Sequence, residues 1–269
     1  MLINYWRCIV PKYFVSSGCS FSDTINTDFS MWNNFVADYL DAELIPLGIG
    51  GTGNQFIAHS FMNAIQQKLN EGVPSENISG IVQWSMIHRF AFISSNEQIP
   101  NNPNIHIGNR VTYPRSFTDY NSVSVENTGW VSIAPWQTHQ DTATDNPELH
   151  HLSKEYYTDI QNKYTDVLNT LSLYSLVKSF CDKHNIKVMF MWMDETHRQD
   201  VLNPDNVWLY NHLSKHIEGS IDLPGMRQAV MKYEESNNVW CEDDYQGHPN
   251  ETGHRMYFEE HIKPRLENV

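Results

Sequence analysis

Ser20 sits in Gly18-Cys19-Ser20-Phe21-Ser22, directly after the apolar run Tyr13 to Ser16. A serine on a tight turn between a strand and a helix stands exposed at the strand's end. Its own backbone N–H, near a helix start, can donate to an oxygen that gains negative charge. The hydroxyl becomes a nucleophile only when a base takes its proton. Near the C-terminus, Glu242-Asp243-Asp244-Tyr245-Gln246-Gly247-His248-Pro249-Asn250 supplies an imidazole with carboxylates a few residues upstream. An imidazole needs such a carboxylate at one nitrogen, to fix its tautomer, before the other can act as a base. Plainer readings stand beside these. Ser20 could cap a turn, and His248-Pro249-Asn250 could be a helix entry with its acids solvated.

Gly48-Ile49-Gly50-Gly51-Thr52-Gly53-Asn54 matches G-x-G-x-x-G, the dinucleotide fingerprint. That fingerprint also needs an acid at the end of the next strand to hold a ribose hydroxyl. Here the next strand ends Gln83-Trp84-Ser85, and Glu71 falls before it. The alternative is a glycine turn whose backbone N–H groups approach a reacting oxygen. His212 and His216, four apart, have metal-ligand spacing but no following Glu, so an exposed face is expected. Asp194, Glu195 and His197 follow a strong strand and either border the pocket or form an exposed loop, and His150-His151 has no evident partner.

The elements that must position these groups follow from hydrophobic spacing. Strands are expected at Tyr13 to Ser16, Glu43 to Leu47, Gly80 to Trp84 and Ile186 to Trp192, with a last short one at Val239-Trp240. Helices are expected at Phe29 to Leu40, capped by Asp28 or Ser30, and at Asn54 to Leu69. Glu155 to His184 reads as one long helix softened near Gln161, and about Pro204 to Glu235 as irregular helix. Asn250 caps a closing helix that runs to Leu266. Strands alternating with helices predict a parallel sheet covered on both faces, with ligands at the carboxyl ends of its strands. From Ser94 to about His151 the pattern dissolves, which predicts an inserted loop or lid at about 94–151 within one domain spanning 1–269. Its aromatics, among them Tyr113, Tyr120, Trp130 and Trp136, could stack on sugar rings or simply pack.

Taken together, these segments resemble the SGNH (GDSL-like) hydrolases, a superfamily of esterases on a flavodoxin-like sheet. The Gly-Asp-Ser-type turn corresponds to Gly18-Cys19-Ser20, with Cys19 in place of Asp. The second-block glycine looks like Gly51, and Asp-x-x-His looks like Asp244 to His248. The resemblance implies a three-layer α/β/α fold and a Ser20–His248–Asp244 triad. It also implies oxyanion donors at Gly51 and at Ser85, which falls where the family carries an Asn. Gln83 is a weaker stand-in for that Asn because it lies inside the strand. Asp244 lies four residues before His248 rather than three, so Asp243 stays a rival. The implied reaction is hydrolysis of a small acyl ester, acetyl or carbohydrate-linked among the candidates, with no metal or cofactor. The alternative is a noncatalytic glycan-binding or structural protein on the same scaffold, for instance in a virion.

Composition narrows the partners. With 32 acidic against 18 basic residues, the net charge of −14 repels phosphate backbones and anionic membranes. A neutral small-molecule or carbohydrate ester fits that surface better. Cys8, Cys19, Cys181 and Cys241 form no C-x-x-C pair, so a structural zinc is not expected, and Cys8 and Cys19, which flank the first strand, read as small buried hydrophobes. No apolar run approaches the roughly 20 residues of a membrane span, and the N-terminus lacks signal-peptide features. A cytoplasmic or virion-associated protein is therefore expected.

Overall fold

The computed structural model describes residues 12–24, 27–94, 129–138, 147–203, 207–237, 241 and 247–267. Its framework is a five-stranded parallel sheet built from β1 (Tyr13–Ser17), β2 (Glu43–Pro46), β3 (Ile78–Trp84), β6 (Lys187–Trp192) and β7 (Ile221–Gly225). The spatial order β2-β1-β3-β6-β7 is that of the flavodoxin-like doubly wound sheet. The chain reverses its direction of growth between β1 and β3, which opens a crevice at their carboxyl ends. Ser17 pairs with Val82 and Trp84 with Trp192, so the residues after β1, β3 and β6 all leave one edge.

Successive strand residues enter opposite layers, as the pleat requires. Val15, Val82, Phe190 and Trp192 pack with α2 (Asn54–Asn70) and α4 (Lys163–His184), through Phe56, Phe61, Leu171, Tyr174 and Val177. Phe14, Ile81, Met189 and Met191 face α1 (Trp32–Leu40), α7 (Met226–Asn237) and α8 (Glu251–Tyr257) on the other side. The expected three-layer α/β/α architecture is therefore present. Phe190 lies 4.1 Å from Tyr174 and stacks on Trp84 at 6.2 Å, ring centre to ring centre. Each such fully buried side chain stabilises the fold by about 1.5–3 kcal/mol.

Several expected boundaries are corrected. Helix α1 begins at Trp32, not Phe29, because the Asn34 side chain folds back to accept the Met31 amide at 3.0 Å. Asp28 and Ser30 do not cap it. The expected long helix from Glu155 breaks at Gln161, and α4 restarts behind Asn162, whose side chain accepts the Thr165 amide at 3.0 Å. The region taken as irregular helix contains β7, the fifth strand, flanked by α6 (Val207–Ser214) and α7. Asp194, Glu195 and His197 are not in a loop: Asp194 caps α5 (Glu195–Leu202).

The region expected to lack elements holds β5 (Gly129–Ile133), antiparallel to β4 (Phe90–Ser94), and α3 (Pro147–Glu155). The Tyr157 hydroxyl lies 2.7 Å from the His88 carbonyl and 2.9 Å from that of Ile133, so its one proton ties this ribbon to the loop after β3. Val239-Trp240, Cys8, Tyr113 and Tyr120 lie outside the described residues. Asn250 caps α8 as expected, accepting the Gly253 amide at 3.1 Å; the helix continues through a wider turn, Phe258–Ile262, to α9 (Lys263–Leu266).

Candidate active site

Beyond β1 the chain makes a single 3₁₀ turn, Ser20–Ser22, closed by the Ser22 amide on the Cys19 carbonyl at 2.9 Å. Three side chains fasten it. The Trp32 indole donates to the Phe21 carbonyl at 2.8 Å, and the Asn33 amide donates to the Ser22 carbonyl at 3.1 Å. From below, Gln83 Oε1 accepts the Ser22 hydroxyl at 2.6 Å. Two neighbouring glycines lie tight against the turn. A Cβ on Gly18 would stand 2.5 Å from Ser22 Oγ, and one on Gly48 would stand 2.2 Å from the Ser22 carbonyl oxygen.

This places Ser20 Oγ 2.9 Å from Nε2 of His248, across 228 positions of sequence. That is hydrogen-bond distance, with the hydroxyl donating in the tautomer that leaves Nε2 unprotonated. His248 stands two residues before the Asn250 cap, and the Asn250 amide anchors the segment to the Cys241 carbonyl at 2.8 Å. The Phe21 ring meets the imidazole edge-on, with ring centres 5.1 Å apart. Asp243 and Asp244 lie outside the described residues.

Beneath this pair lies a second imidazole, His254, 1% exposed, whose Nδ1 accepts the Trp32 amide at 3.4 Å. Burial, reinforced by the neighbouring His248, holds its pKa down to about 3. It is therefore neutral at physiological pH.

The glycine loop after β2 closes over the same turn. The Gly50 amide donates to Asp23 Oδ2 at 3.0 Å, and a Cβ on Gly50 would lie 3.8 Å from the Ser20 Cβ. Gly51 follows at φ +78°, a left-handed conformation that suits glycine. Ser85 lies just past β3 at the same sheet edge and is 1% exposed. Its amide donates to Asn54 Oδ1 at 2.8 Å, and its hydroxyl oxygen accepts from Arg89 Nη1 at 2.9 Å. The Ser85 hydroxyl proton remains to be donated. Arg89 is itself buried and lies against Cys19.

Other singled-out residues have structural partners. His88 faces His197, with ring centres 5.2 Å apart; burial first, then His197 and Arg89, push its pKa down to about 4. Asp194 accepts from Gln228 and Glu195 from the Gly225 amide, stitching α5 to α7 and the end of β7. His151 pairs with Glu155 at 3.2 Å. His212 and His216 are exposed. Among the described residues no group of three or more His, Cys, Asp or Glu could hold a metal, and no helix is long and apolar enough to cross a membrane.

The role of Gln83 beneath the turn was not foreseen, because a strand residue's partners depend on where a neighbouring turn is carried. Its sequence signal was a lone amide in the otherwise apolar strand Ile81-Val82-Gln83-Trp84.

No family model and no curated protein matches the chain. Among solved structures it is similar to one from Desulfitobacterium hafniense DCB-2, described as a "putative lipolytic protein of G-D-S-L family". The two share 10% identity over 92% of this chain and 96% of the other, with a TM-score of 0.44.

Proposed function

We propose that this chain is a serine ester hydrolase, and the observation that carries the reading is the 2.9 Å approach of Ser20 Oγ to His248 Nε2 at the carboxyl edge of the sheet. Nε2 takes the hydroxyl proton as Oγ attacks the acyl carbon, and returns it to the leaving alcohol as the carbon–oxygen bond breaks. A water then repeats the cycle on the acyl-enzyme and frees the acid. Asp244, or Asp243, orients the ring and stabilises the imidazolium. Neutral His254 adds no positive charge to oppose that imidazolium. The Ser20 and Gly51 amides, assisted by the Ser85 hydroxyl, hold the oxyanion. The substrate is a small acyl ester, and acetylated carbohydrates are the first class to assay.

One observation favours a second reading, a noncatalytic glycan-binding or structural protein on this scaffold. Ser85, in the position of the family's oxyanion Asn, spends its amide on Asn54 and is 1% exposed. Labelling with a fluorophosphonate separates the two. The hydrolase reading expects one adduct at Ser20, its loss in Ser20→Ala, and loss of p-nitrophenyl acetate turnover with an unchanged melting temperature. A wild-type chain inert to both reagents supports the binding protein instead.

A further inference from the structure

Gln83 is a fully buried amide in an apolar layer, surrounded by Cys19, Ile81, Met191, Met193 and Met226. Burying an amide without full hydrogen bonding costs a few kcal/mol, and a leucine or methionine would fill the same layer at no such cost. Its contacts are unevenly distributed. Oε1 accepts the Ser22 hydroxyl at 2.6 Å and lies 3.7 Å from the Cys19 thiol, whose proton also meets the Met193 sulfur at 3.5 Å, whereas among the described residues Nε2 finds only the Met226 sulfur at 3.9 Å. That oxygen holds the residue two after Ser20 by a short hydrogen bond and lies beside the thiol of the residue before it. Gly18 presses on the same side chain, since a Cβ there would lie 2.9 Å from the Gln83 Cβ.

We propose that Gln83 is the positioning residue of this site: one carbonyl oxygen, anchored in the central strand, holds the Ser20 turn through the Ser22 hydroxyl, with the Cys19 thiol beside it, and keeps Ser20 facing His248. The proposal rests on the hydrolase reading for its kinetic consequence, but not for its geometry. A turn held from the strand below keeps the Ser20 Cβ, and with it Oγ, within reach of Nε2, and displacing a nucleophile by about 1 Å can cost on the order of 100-fold in rate.

The test compares Gln83→Met, which removes the acceptor at similar volume, with Ser22→Ala, which removes the donor, and with both together. Each single variant should slow fluorophosphonate labelling of Ser20 by roughly 10- to 100-fold through the inactivation rate constant, with the reagent's apparent affinity unchanged. The double variant should be no slower than the worse single one, because Gln83→Met already breaks the contact that Ser22→Ala removes. Gln83→Glu, which keeps an acceptor oxygen at the same reach, should recover most of the rate. Ser60→Ala, which breaks the 2.9 Å hydroxyl contact to Ser17 under β1, should lower the melting temperature without slowing labelling. Labelling slowed only in proportion to lost stability, or additive effects of the two substitutions, overturns the proposal. If the wild-type chain does not react at all, the hydrolase reading falls. The ¹⁵N shift of His248 Nε2 still decides the clamp: it should move in Gln83→Met as the Ser20 contact loosens, and an unmoved shift overturns it.

Discussion

Nδ1 of His254 accepts the backbone amide of Trp32, so the first turn of α1 and the closing helix share a hydrogen bond directly below the Ser20–His248 pair. The bond needs a neutral ring. With a pKa held down to about 3 by burial, His254 binds its proton far more readily in the unfolded chain, whose histidine titrates near 6.5. Its contribution is therefore complete above about pH 6.5 and declines as pH falls toward 3. Urea unfolding should show about 2 kcal/mol less stability at pH 5 than at pH 7.5 from this group alone. His254→Gln keeps an acceptor for Trp32 but cannot titrate, and should flatten that slope.

Asp166 should behave in the opposite sense. It is 3% exposed in the first turn of α4, its main hydrogen bond coming from Gln161 Nε2 at 2.5 Å. Burial raises its pKa to about 6, so the folded chain holds this proton longer than the unfolded one. The stability it confers is present below about pH 4 and is lost as pH rises through 6. Asp166→Asn, which can still accept from Gln161, should be more stable than wild type at pH 7.5, by on the order of 1–3 kcal/mol. The two melting temperatures should converge near pH 4. A variant that is less stable at both pH values would show that the folded chain holds the carboxylate favourably and that burial does not penalise it.

Four of the five parallel strands were legible because each contains an apolar run ending in turn residues. The fifth was not, and its residues explain why. In Ile221-Asp222-Leu223-Pro224-Gly225, Asp222 takes hydrogen bonds from the Tyr174 hydroxyl and the Trp192 indole, while the Pro224 carbonyl takes the Tyr257 hydroxyl. These partners come from β6, α4 and α8, so the polar residues that disguise the strand are satisfied only in the folded chain. The site divides the same way. Ser20 and His248 could be located because they follow a strand and precede a capped helix. Gln83 and His254 could not, since a buried polar residue declares its role only through what packs on it.

Kinetics can test whether Asp243 or Asp244 orients His248. If the triad reading is right, one of Asp243→Asn and Asp244→Asn should lower kcat for p-nitrophenyl acetate by about 10⁴-fold, as expected when an imidazole loses the group that sets its tautomer. The other should change it less than about threefold. KM should hold in both, since neither carboxylate is expected to touch the ester. Two weak effects would remove the Asp-His part of the mechanism while leaving the Ser20–His248 contact in place.

Gly18 and Gly48 both press on the Ser20 turn, but against different atoms, and this ranks their replacements. A Cβ on Gly18 would stand 2.5 Å from Ser22 Oγ, a hydroxyl that can rotate aside, and 2.9 Å from the Cβ and Oε1 of Gln83. A Cβ on Gly48 would stand 2.2 Å from the Ser22 carbonyl oxygen and 2.4 Å from its carbon, which are backbone. That backbone is pinned in turn by Asn33, whose amide also holds the Ser16 hydroxyl at 3.1 Å. Relief at Gly48 must therefore move either β2 or the whole turn. Gly48→Ala should lose more stability than Gly18→Ala, by roughly 1–3 kcal/mol as for overpacked cores. Gly18→Ala should keep most of its stability yet still slow Ser20 labelling, because it rotates Ser22 off Gln83. Equal melting temperatures for the two variants would mean that the loop after β2 yields as easily as a side chain, and that the turn is not rigidly held from above.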